Sequence, residues 1–424
     1  MNATFSKALR YFVEVVCESP LRTGGSGRDM KSILTDAYGT PFVQGSSLAG
    51  AFRSWQEDPE LFSSTDARSP LIFSDLMLDM VEPVMRPRLA IDRKTGTNNG
   101  SAKFDMAALP AGTAGRFRLV WTGHADPGEI APRIEAYLSA LNSGEITLGA
   151  QRSNGFGRVH VTVRRRVYDM SSAEDRKAWL LGDRVTDAKP ITLPDRVPPY
   201  AIFTVTTTVP ALLIKGIGSK RGGDRRGGKN TEGTIFAQLE ENGRKIVPGS
   251  SLKGTIRSQM ERICTVFGYD DKALKAALFG YQNQKGTEGG AAGVLRFSDG
   301  TLTDLKTTRV PRIRISRLTG GVVGTGKFTD EPVRAALSFE IRVPADRKAG
   351  CALLLYALRD LGLGLYELGS GASVGRGRLS NTKITITHPE AGAILECTPQ
   401  EVKLTDPQGL VAQWESELRK GASL

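Results

Sequence analysis

The chain has 424 residues, 57 Lys and Arg against 45 Asp and Glu, a formal charge of +12 and 40% hydrophobic residues. That length predicts two to three domains of ordinary size, with enough apolar material for real cores. The longest apolar runs, such as Cys351–Leu358, fall well short of the ~20 residues that span a bilayer, and the polar start Met1–Arg10 has no signal-peptide core, so a membrane protein and an exported one are both excluded as expectations.

Cys17, Cys264, Cys351 and Cys397 are scattered without a CxxC pair. That argues against a zinc ribbon, a redox motif or a disulfide scaffold, and for the reducing cytoplasm. His124, His160 and His388 form no HExxH, and the latter two lie in alternating, strand-like segments, which speaks against chemistry built on histidine. The 48 glycines exceed the usual ~7% share. The basic balance points to a polyanion such as a nucleic acid.

Taken in chain order, an alternating strand opens the fold, and a long loop carrying Asp36 then leads to Gly45-Ser-Ser-Leu-Ala-Gly-Ala-Phe-Arg-Ser54. This block starts a helix, with its serines expected as N-caps. A short strand ends at Phe73-Ser-Asp75. A polar excursion follows Ile91-Asp-Arg-Lys-Thr-Gly96, then an alternating strand through Phe117, Leu119 and Trp121. Ile130, Ile134, Tyr137, Leu138 and Leu141 have helical spacing. The Gly-rich turn Gly149-Ala-Gln-Arg-Ser-Asn-Gly-Phe-Gly-Arg158 leads into a last strand with Val159, Val161 and Val163. Ser171-Ser-Ala-Glu174 starts a short linker helix, and Pro190–Pro199 is an extended connector.

The same series then recurs. Thr204, Thr206 and Thr208 mark an opening strand, and Gly249-Ser-Ser-Leu-Lys-Gly-Thr-Ile-Arg-Ser258 repeats the helix start at an offset of 204 residues. Phe297-Ser-Asp299 and Ile315-Ser-Arg-Leu-Thr-Gly320 repeat at 224, and Gly369-Ser-Gly-Ala-Ser-Val-Gly-Arg-Gly-Arg378 at 220. Four blocks in one order mean a tandem duplication. Each copy reads βαββαβ, the ferredoxin-like order. The expected division is a first domain over residues 1–168, a linker over 169–196, a second domain over 197–388 and a C-terminal extension over 389–424, whose segment Gly409–Lys420 could form an amphipathic helix.

Several segments could carry function. The helix starts present Ser46, Ser47 and Arg53 in one copy and Ser250, Ser251, Lys253 and Arg257 in the other, a natural phosphate seat if the serines do more than cap. Ala49 stands where the second copy has Lys253, so the copies are not equivalent. The Gly-rich turns add Arg152, Arg158, Arg376 and Arg378, and they lack a P-loop signature. The excursions Arg93–Pro110 and Arg317–Pro332 read as projecting hairpins or as ordinary surface loops. Leu213–Asn230 is rich in glycine and bears Lys215, Lys220, Arg221, Arg225, Arg226 and Lys229, either a phosphate-gripping element or a solvated linker. Asp36 lies in the loop facing the helix start, where an acid could hold Mg²⁺ or assist attack by a ribose 2′-OH, or serve simply as a turn residue. Its counterpart at the same offset is Glu240.

The helix start, the Phe-Ser-Asp strand end, Ile-Asp-Arg-Lys-Thr-Gly and the terminal Gly-rich loop together resemble the RAMP superfamily of CRISPR–Cas proteins, and above all the backbone subunits of type III effector complexes. Two fused copies are similar to the double-backbone subunits of type III-D-like effectors or to a fragment of the single-chain type III-E arrangement. The resemblance implies an α+β protein of two tandem ferredoxin-like, RRM-like domains. Each would carry a β-hairpin thumb, here over Arg93–Pro110 and Arg317–Pro332. It implies a grip on guide RNA through Arg22, Arg93, Lys94, Arg317 and the serines and cations named above, with other effector subunits as partners. A complementary target RNA would be cut, with Mg²⁺ or another divalent metal, by a loop aspartate whose position Asp36 occupies. Glu240 replaces it in the second copy, which leans that copy toward binding only. A purely structural RNA-binding backbone is the alternative. A guide-processing nuclease is disfavoured, because such enzymes commonly use a histidine and the three here lie outside these motifs.

Overall fold

In the computed structural model the described residues are 5–24, 30–63, 68–91, 98–182, 184–216, 220–221, 234–269, 275–282 and 290–420. The chain divides into two compact units. The first comprises Met1–Met85 with Asp105–Pro198, and the second Arg86–Phe104 with Pro199–Leu424. Residues 86–104 therefore lie in the first sequence repeat yet belong to the second unit.

The first unit is built on β1 (Lys7–Cys17), β2 (Phe42–Val43), α1 (Gly45–Trp55), β3 (Leu71–Phe73) and β4 (Leu76–Leu78), followed by the hairpin strands β5 (Val84–Ile91) and β6 (Asn98–Ala108). After these come β7 (Ala114–Gly123), α2 (Pro127–Asn142) and β8 (Val159–Asp169). Strand β1 is flanked by β7 and β8, both antiparallel, with Leu9 opposite Trp121 and Val167. The order across the sheet is β2-β4-β7-β1-β8, with β3 also on β7. Alternation does the sorting: Leu9, Tyr11, Val13 and Val15 share a buried face with Phe117, Leu119 and Trp121 and with Val159, Val161 and Val163. Leu48 and Phe52 of α1 cover that face beside Ile130, Ile134, Tyr137 and Leu138 of α2, and the Phe52 and Tyr137 rings stack at 5.4 Å. Asp126 caps α2 through the Gly128 N–H, with Pro127 in the first turn.

The connector folds back on this unit. Helix α3 (Ala173–Leu181) is capped by Ser172, one residue later than the sequence pattern suggests. Strand β9 (Lys189–Ile191) pairs with β8. Arg196 donates to the buried Glu145 at 2.9 Å and lies over Trp55, whose indole N–H also reaches Glu145.

The second unit repeats the plan with additions. Its strands begin with β10 (Tyr200–Leu212), β11 (Lys220–Arg221), β12 (Thr234–Ala237), β13 (Glu240–Glu241) and β14 (Arg244–Val247), before helix α4 (Gly249–Phe267). The short pair β15 (Gly280–Gln282) and β16 (Gly290–Ala292) precedes β17 (Arg296–Phe297), β18 (Gly300–Thr307), β19 (Val310–Ile315), β20 (Val322–Glu331) and β21 (Val333–Pro344). Helix α5 (Lys348–Gly362) leads to β22 (Ser380–Thr387), β23 (Gly392–Cys397), β24 (Val402–Thr405) and α6 (Leu410–Arg419). Strand β10 sits between β21 and β22, as β1 sits between its neighbours. The last two strands extend this sheet, and Trp414 of α6 is fully buried against Phe203, so residues 392–419 form part of the core of this unit.

Both hairpins begin earlier in the chain than their polar stretches suggest, at Val84 and Val310. The segment Leu213–Asn230 is not wholly a loop either, because β11 pairs with β12, and β12 runs parallel to β20 in the order β11-β12-β20-β19.

Candidate nucleic-acid interface

The serines of the two helix starts do not cap them. The residue before each helix is Gln44 or Pro248, and neither helix has a side-chain cap from its serines. The cap comes from afar instead: Asp75 Oδ1 accepts from the Gly45 N–H at 2.7 Å, and Asp299 Oδ1 from the Gly249 N–H at 2.8 Å. The preceding serine fixes each aspartate in place. Ser74 Oγ accepts from the Arg118 N–H and Ser298 Oγ from the Glu340 N–H, both at 2.8 Å, which pins the turn to the neighbouring strand. Phe-Ser-Asp is thus a helix-capping device, duplicated. Gly45 is required by it, since a Cβ there would stand 2.6 Å from the Phe73 carbonyl oxygen. The next N–H groups, of Ser47, Leu48, Ser251 and Leu252, bond back to Gln44 or Pro248, and those of Ser46 and Ser250 are open donors among the described residues. Ser46 and Ser47 are exposed and Ser250 and Ser251 half-buried.

The Gly-rich turns are close-packed for an equally internal reason. A Cβ on Gly157 or Gly377 would lie 1.9 or 2.1 Å from the carbonyl oxygen of Leu148 or Leu368. Gly149 and Gly369 press in the same way on the carbonyls of Arg22 and Leu213. The backbone these glycines admit is the chain's own. Two of the expected phosphate donors are consumed here. Arg22 is buried, its guanidinium donating to the Ala107 and Met30 carbonyls at 2.6 and 3.1 Å. Arg376 is buried against Asp330 at 2.7 Å. The others stay nearer the surface: Arg152 is exposed, Arg158 half-buried against Glu18, and Arg378 exposed beside Glu367.

Asp36 is a half-buried turn residue. Its Oδ1 accepts from the Tyr38 and Thr40 N–H groups at 2.9 and 2.8 Å, which fixes the loop just before β2. Glu240 is exposed at the start of the hairpin β13–β14, whose Asn242-Gly243 turn has positive φ at both residues. Its neighbour Glu241, together with Asp299, holds the buried Arg86. Arg86 donates to Glu241 Oε2 at 2.7 Å and to the two Asp299 oxygens at 3.0 and 2.6 Å. Burial works against that guanidinium's charge, but the two carboxylates outweigh it and hold it protonated.

The remaining cations gather mainly on the second unit. Lys253 has its pKa pushed down to about 8, first by burial and then by repulsion from Arg257 and Arg88. Arg257 pairs with Glu261 and lies over the Phe279 ring, and Lys215 sits 4.0 Å over Phe236. In the first unit Arg53 is half-exposed beside Glu57. On β19–β20 and its turn, Arg314, Arg317 and Lys327 are exposed among the exposed side chains of Ile313, Ile315, Leu318, Val322 and Val323, and Arg309 is exposed just before β19. Arg93, Lys94 and Arg225 lie outside the described residues, and of Lys220 and Arg221 only the backbone is described.

The family model of the RAMP superfamily matches residues 14–160 and 207–380, one match in each repeat and together well over half the chain. The chain belongs to the RAMP superfamily. No curated protein matches it. RAMP proteins are in general CRISPR-associated and RNA-binding, and they work in RNA–protein complexes. Among the described residues of this RAMP protein, no helix is long and apolar enough to cross a membrane. None of them form a group of three or more His, Cys, Asp or Glu side chains arranged to hold a metal ion.

Sequence reasoning missed Arg86, Arg88, Arg309 and Arg314, and found the Phe-Ser-Asp blocks without assigning their aspartates a task. The signal was present, since Pro87-Arg88 recurs as Pro311-Arg312 at the same offset of 224. Pro87 and Pro311 lie within β5 and β19, each a terminal strand, where a missing N–H is tolerated.

Proposed function

We propose that this RAMP protein is a guide-RNA-binding backbone subunit of a type III CRISPR effector, of the type III-D-like double form, acting in the cytoplasm with other effector subunits. Each repeat supplies a ferredoxin-like palm, and the hairpins β5–β6 and β19–β20 are the thumbs. The observation that carries this reading is the second hairpin, a ladder outside the core that mixes exposed cations with exposed aliphatic side chains. Cations hold phosphates while apolar surface lies against bases, without need of base-edge hydrogen bonds. Arg53, Arg93, Lys94, Arg152, Arg158, Lys215, Lys220, Arg221, Arg225, Lys253, Arg257, Arg317 and Arg378 are assigned to the RNA backbone, with the open N–H groups of Ser46 and Ser250. The Ser47 and Ser251 hydroxyls join them. Arg22 and Arg376 act indirectly, by shaping the loops they anchor.

Asp36 is the assigned cleavage residue. Its Oδ1 is fixed by the turn, which leaves Oδ2 to face an RNA phosphate or to share a Mg²⁺ with it. A lone carboxylate suits Mg²⁺, which commonly binds through one or two carboxylates together with substrate phosphates. Such an ion would supply charge stabilisation at the scissile phosphate. Glu240 has no comparable turn to hold it, and the second copy is assigned to binding. The expected result is that Asp36→Ala in the guide-loaded complex lowers cleavage of complementary RNA by at least ~100-fold and leaves guide binding unchanged. Equal cleavage would make the protein a purely structural backbone.

Lys253 gives this reading a pH dependence. Its folded pKa of about 8 lies below the ordinary lysine value, so the cation is full below that pH and lost as pH rises through it. RNA affinity is expected to fall severalfold between pH 7 and 9 in filter binding. Lys253→Ala should flatten that fall and lower the slope of log K against log salt by about one.

A further inference from the structure

In the first unit the connector closes over the helix-free face of the sheet. Arg164 on β8 donates to the Ala188 carbonyl at 3.3 Å and Arg166 pairs with Asp187 at 4.0 Å, which holds the turn Val185–Asp187 over the strands. Strand β9 pairs with β8 only as far as Val163. Beyond it the Asn142 side chain takes both backbone groups of Val161, accepting from its N–H at 2.7 Å and donating to its carbonyl at 3.2 Å. The edge of β8 is thus sealed without a strand, and a cavity of about 450 Å³ opens beside it. Phe12, Val185 and Pro190 give the cavity apolar walls, and Glu14, Thr162 and Arg164 give it polar ones. Glu14 is exposed, and its contact to the Thr162 hydroxyl is long, at 3.4 Å. Next to Phe12 on the other side, across the ladder to β7, stands the exposed Arg118.

We infer that this cavity binds a guanine nucleotide. Its size and its apolar walls with a few polar groups suit one small ligand, since such sites run about 300–1,000 Å³. The Glu14 carboxylate accepts from the N1–H and the exocyclic amine of guanine, two donors that adenine does not present side by side. The Arg164 nitrogens not engaged with Ala188 donate to guanine O6 and N7, the pair of acceptors that a guanidinium fits. Arg118 meets the phosphate. The second unit has no such site. The positions that correspond to Phe12, Glu14 and Arg164 in its ladders are Thr206, Thr208 and Lys383, and β23 fills the sheet edge from Thr382 to Thr387. The cavity is therefore separate from the surfaces that the two repeats have in common.

Calorimetry on nuclease-treated chain tests this. Wild type is expected to bind GMP with a Kd on the order of 100 µM or below, and AMP about tenfold more weakly. IMP, which lacks the exocyclic amine that Glu14 accepts from, should also bind about tenfold more weakly than GMP. Glu14→Thr, the residue of the second unit, should bring GMP down to the level of IMP. Arg118→Gln should cost GMP severalfold and leave guanosine unchanged. Melting curves establish that each variant is folded, and the comparison of GMP, AMP and IMP on wild type needs no variant at all. The inference is overturned if wild type binds no GMP up to about 1 mM, if AMP or IMP binds as tightly as GMP, or if GMP keeps its lead over IMP in folded Glu14→Thr. A short RNA with a terminal guanosine distinguishes the sources of the ligand. Tighter binding than GMP, lost in Glu14→Thr, makes the guanine a strand end, and equal or weaker binding makes it a free nucleotide. No guide RNA is present in these measurements, so the cavity stands or falls apart from the RNA-binding reading.

Discussion

Asp299→Ala is expected to destabilise the second unit by about 3 kcal/mol, against about 1 kcal/mol for Asp75→Ala in the first. The smaller figure is the loss of a helix cap, common to both sites. The larger adds a buried guanidinium deprived of one of its two carboxylates. Breaking a buried pair from one side costs about 3–5 kcal/mol, and Glu241 remains to hold part of the charge, which places the loss at the lower end. Arg86 is 3% exposed and cannot turn to water without dragging β5 with it. Hydrogen exchange separates the two effects: Asp75→Ala should speed exchange in the first turn of α1 alone, whereas Asp299→Ala should also expose β5 and β13. Equal costs for the two substitutions would mean that the Arg86 pair contributes nothing to the second unit.

That contrast marks how far the sequence can be read. The duplication, the helix over Pro127–Asn142 and the alternating strands were legible because each is a local pattern whose period fixes which face is buried. The helix caps were not. Their aspartates lie 30 and 50 residues along the chain from the N–H groups they satisfy, and the nearer serines fit the local pattern equally well. Depth was hidden for the same reason. Arg22 and Arg376 sit in Gly-rich or loop-like contexts that read as surface, and their carbonyl and carboxylate partners are brought to them only by the fold. Of the candidate site, Arg152, Arg317 and Arg378 lie exposed at the surface. Asp36 was found in a turn that its own side chain builds.

The same comparison of repeats makes the second large effect predictable. In the second unit Asp330 and Arg376 form a buried pair, joined by Arg312 at 3.2 Å, and Asp330 Oδ1 is left without a hydrogen bond. The matching positions of the first unit, Met106 and Phe156, form a small apolar cluster with Ala108, Met30 and Val84. One backbone arrangement has thus been closed in two ways, by an ion pair and by packing. Arg376→Ala is expected to cost about 3–4 kcal/mol, because Asp330 is 2% exposed and would keep only the longer contact to Arg312. Asp330→Met with Arg376→Phe, which installs the pair used by the first unit, is expected to fall within about 1 kcal/mol of wild type or above it, since apolar replacement of a buried pair is often neutral or stabilising. Arg312, one-third exposed, can turn to solvent when Asp330 is gone. The coupling in a denaturant-unfolding cycle should therefore be large and favourable. A double variant as unstable as the sum of the two single changes would mean that the second unit needs the charge itself, for instance to hold β20 beneath the Gly-rich loop in the one geometry that RNA binding uses.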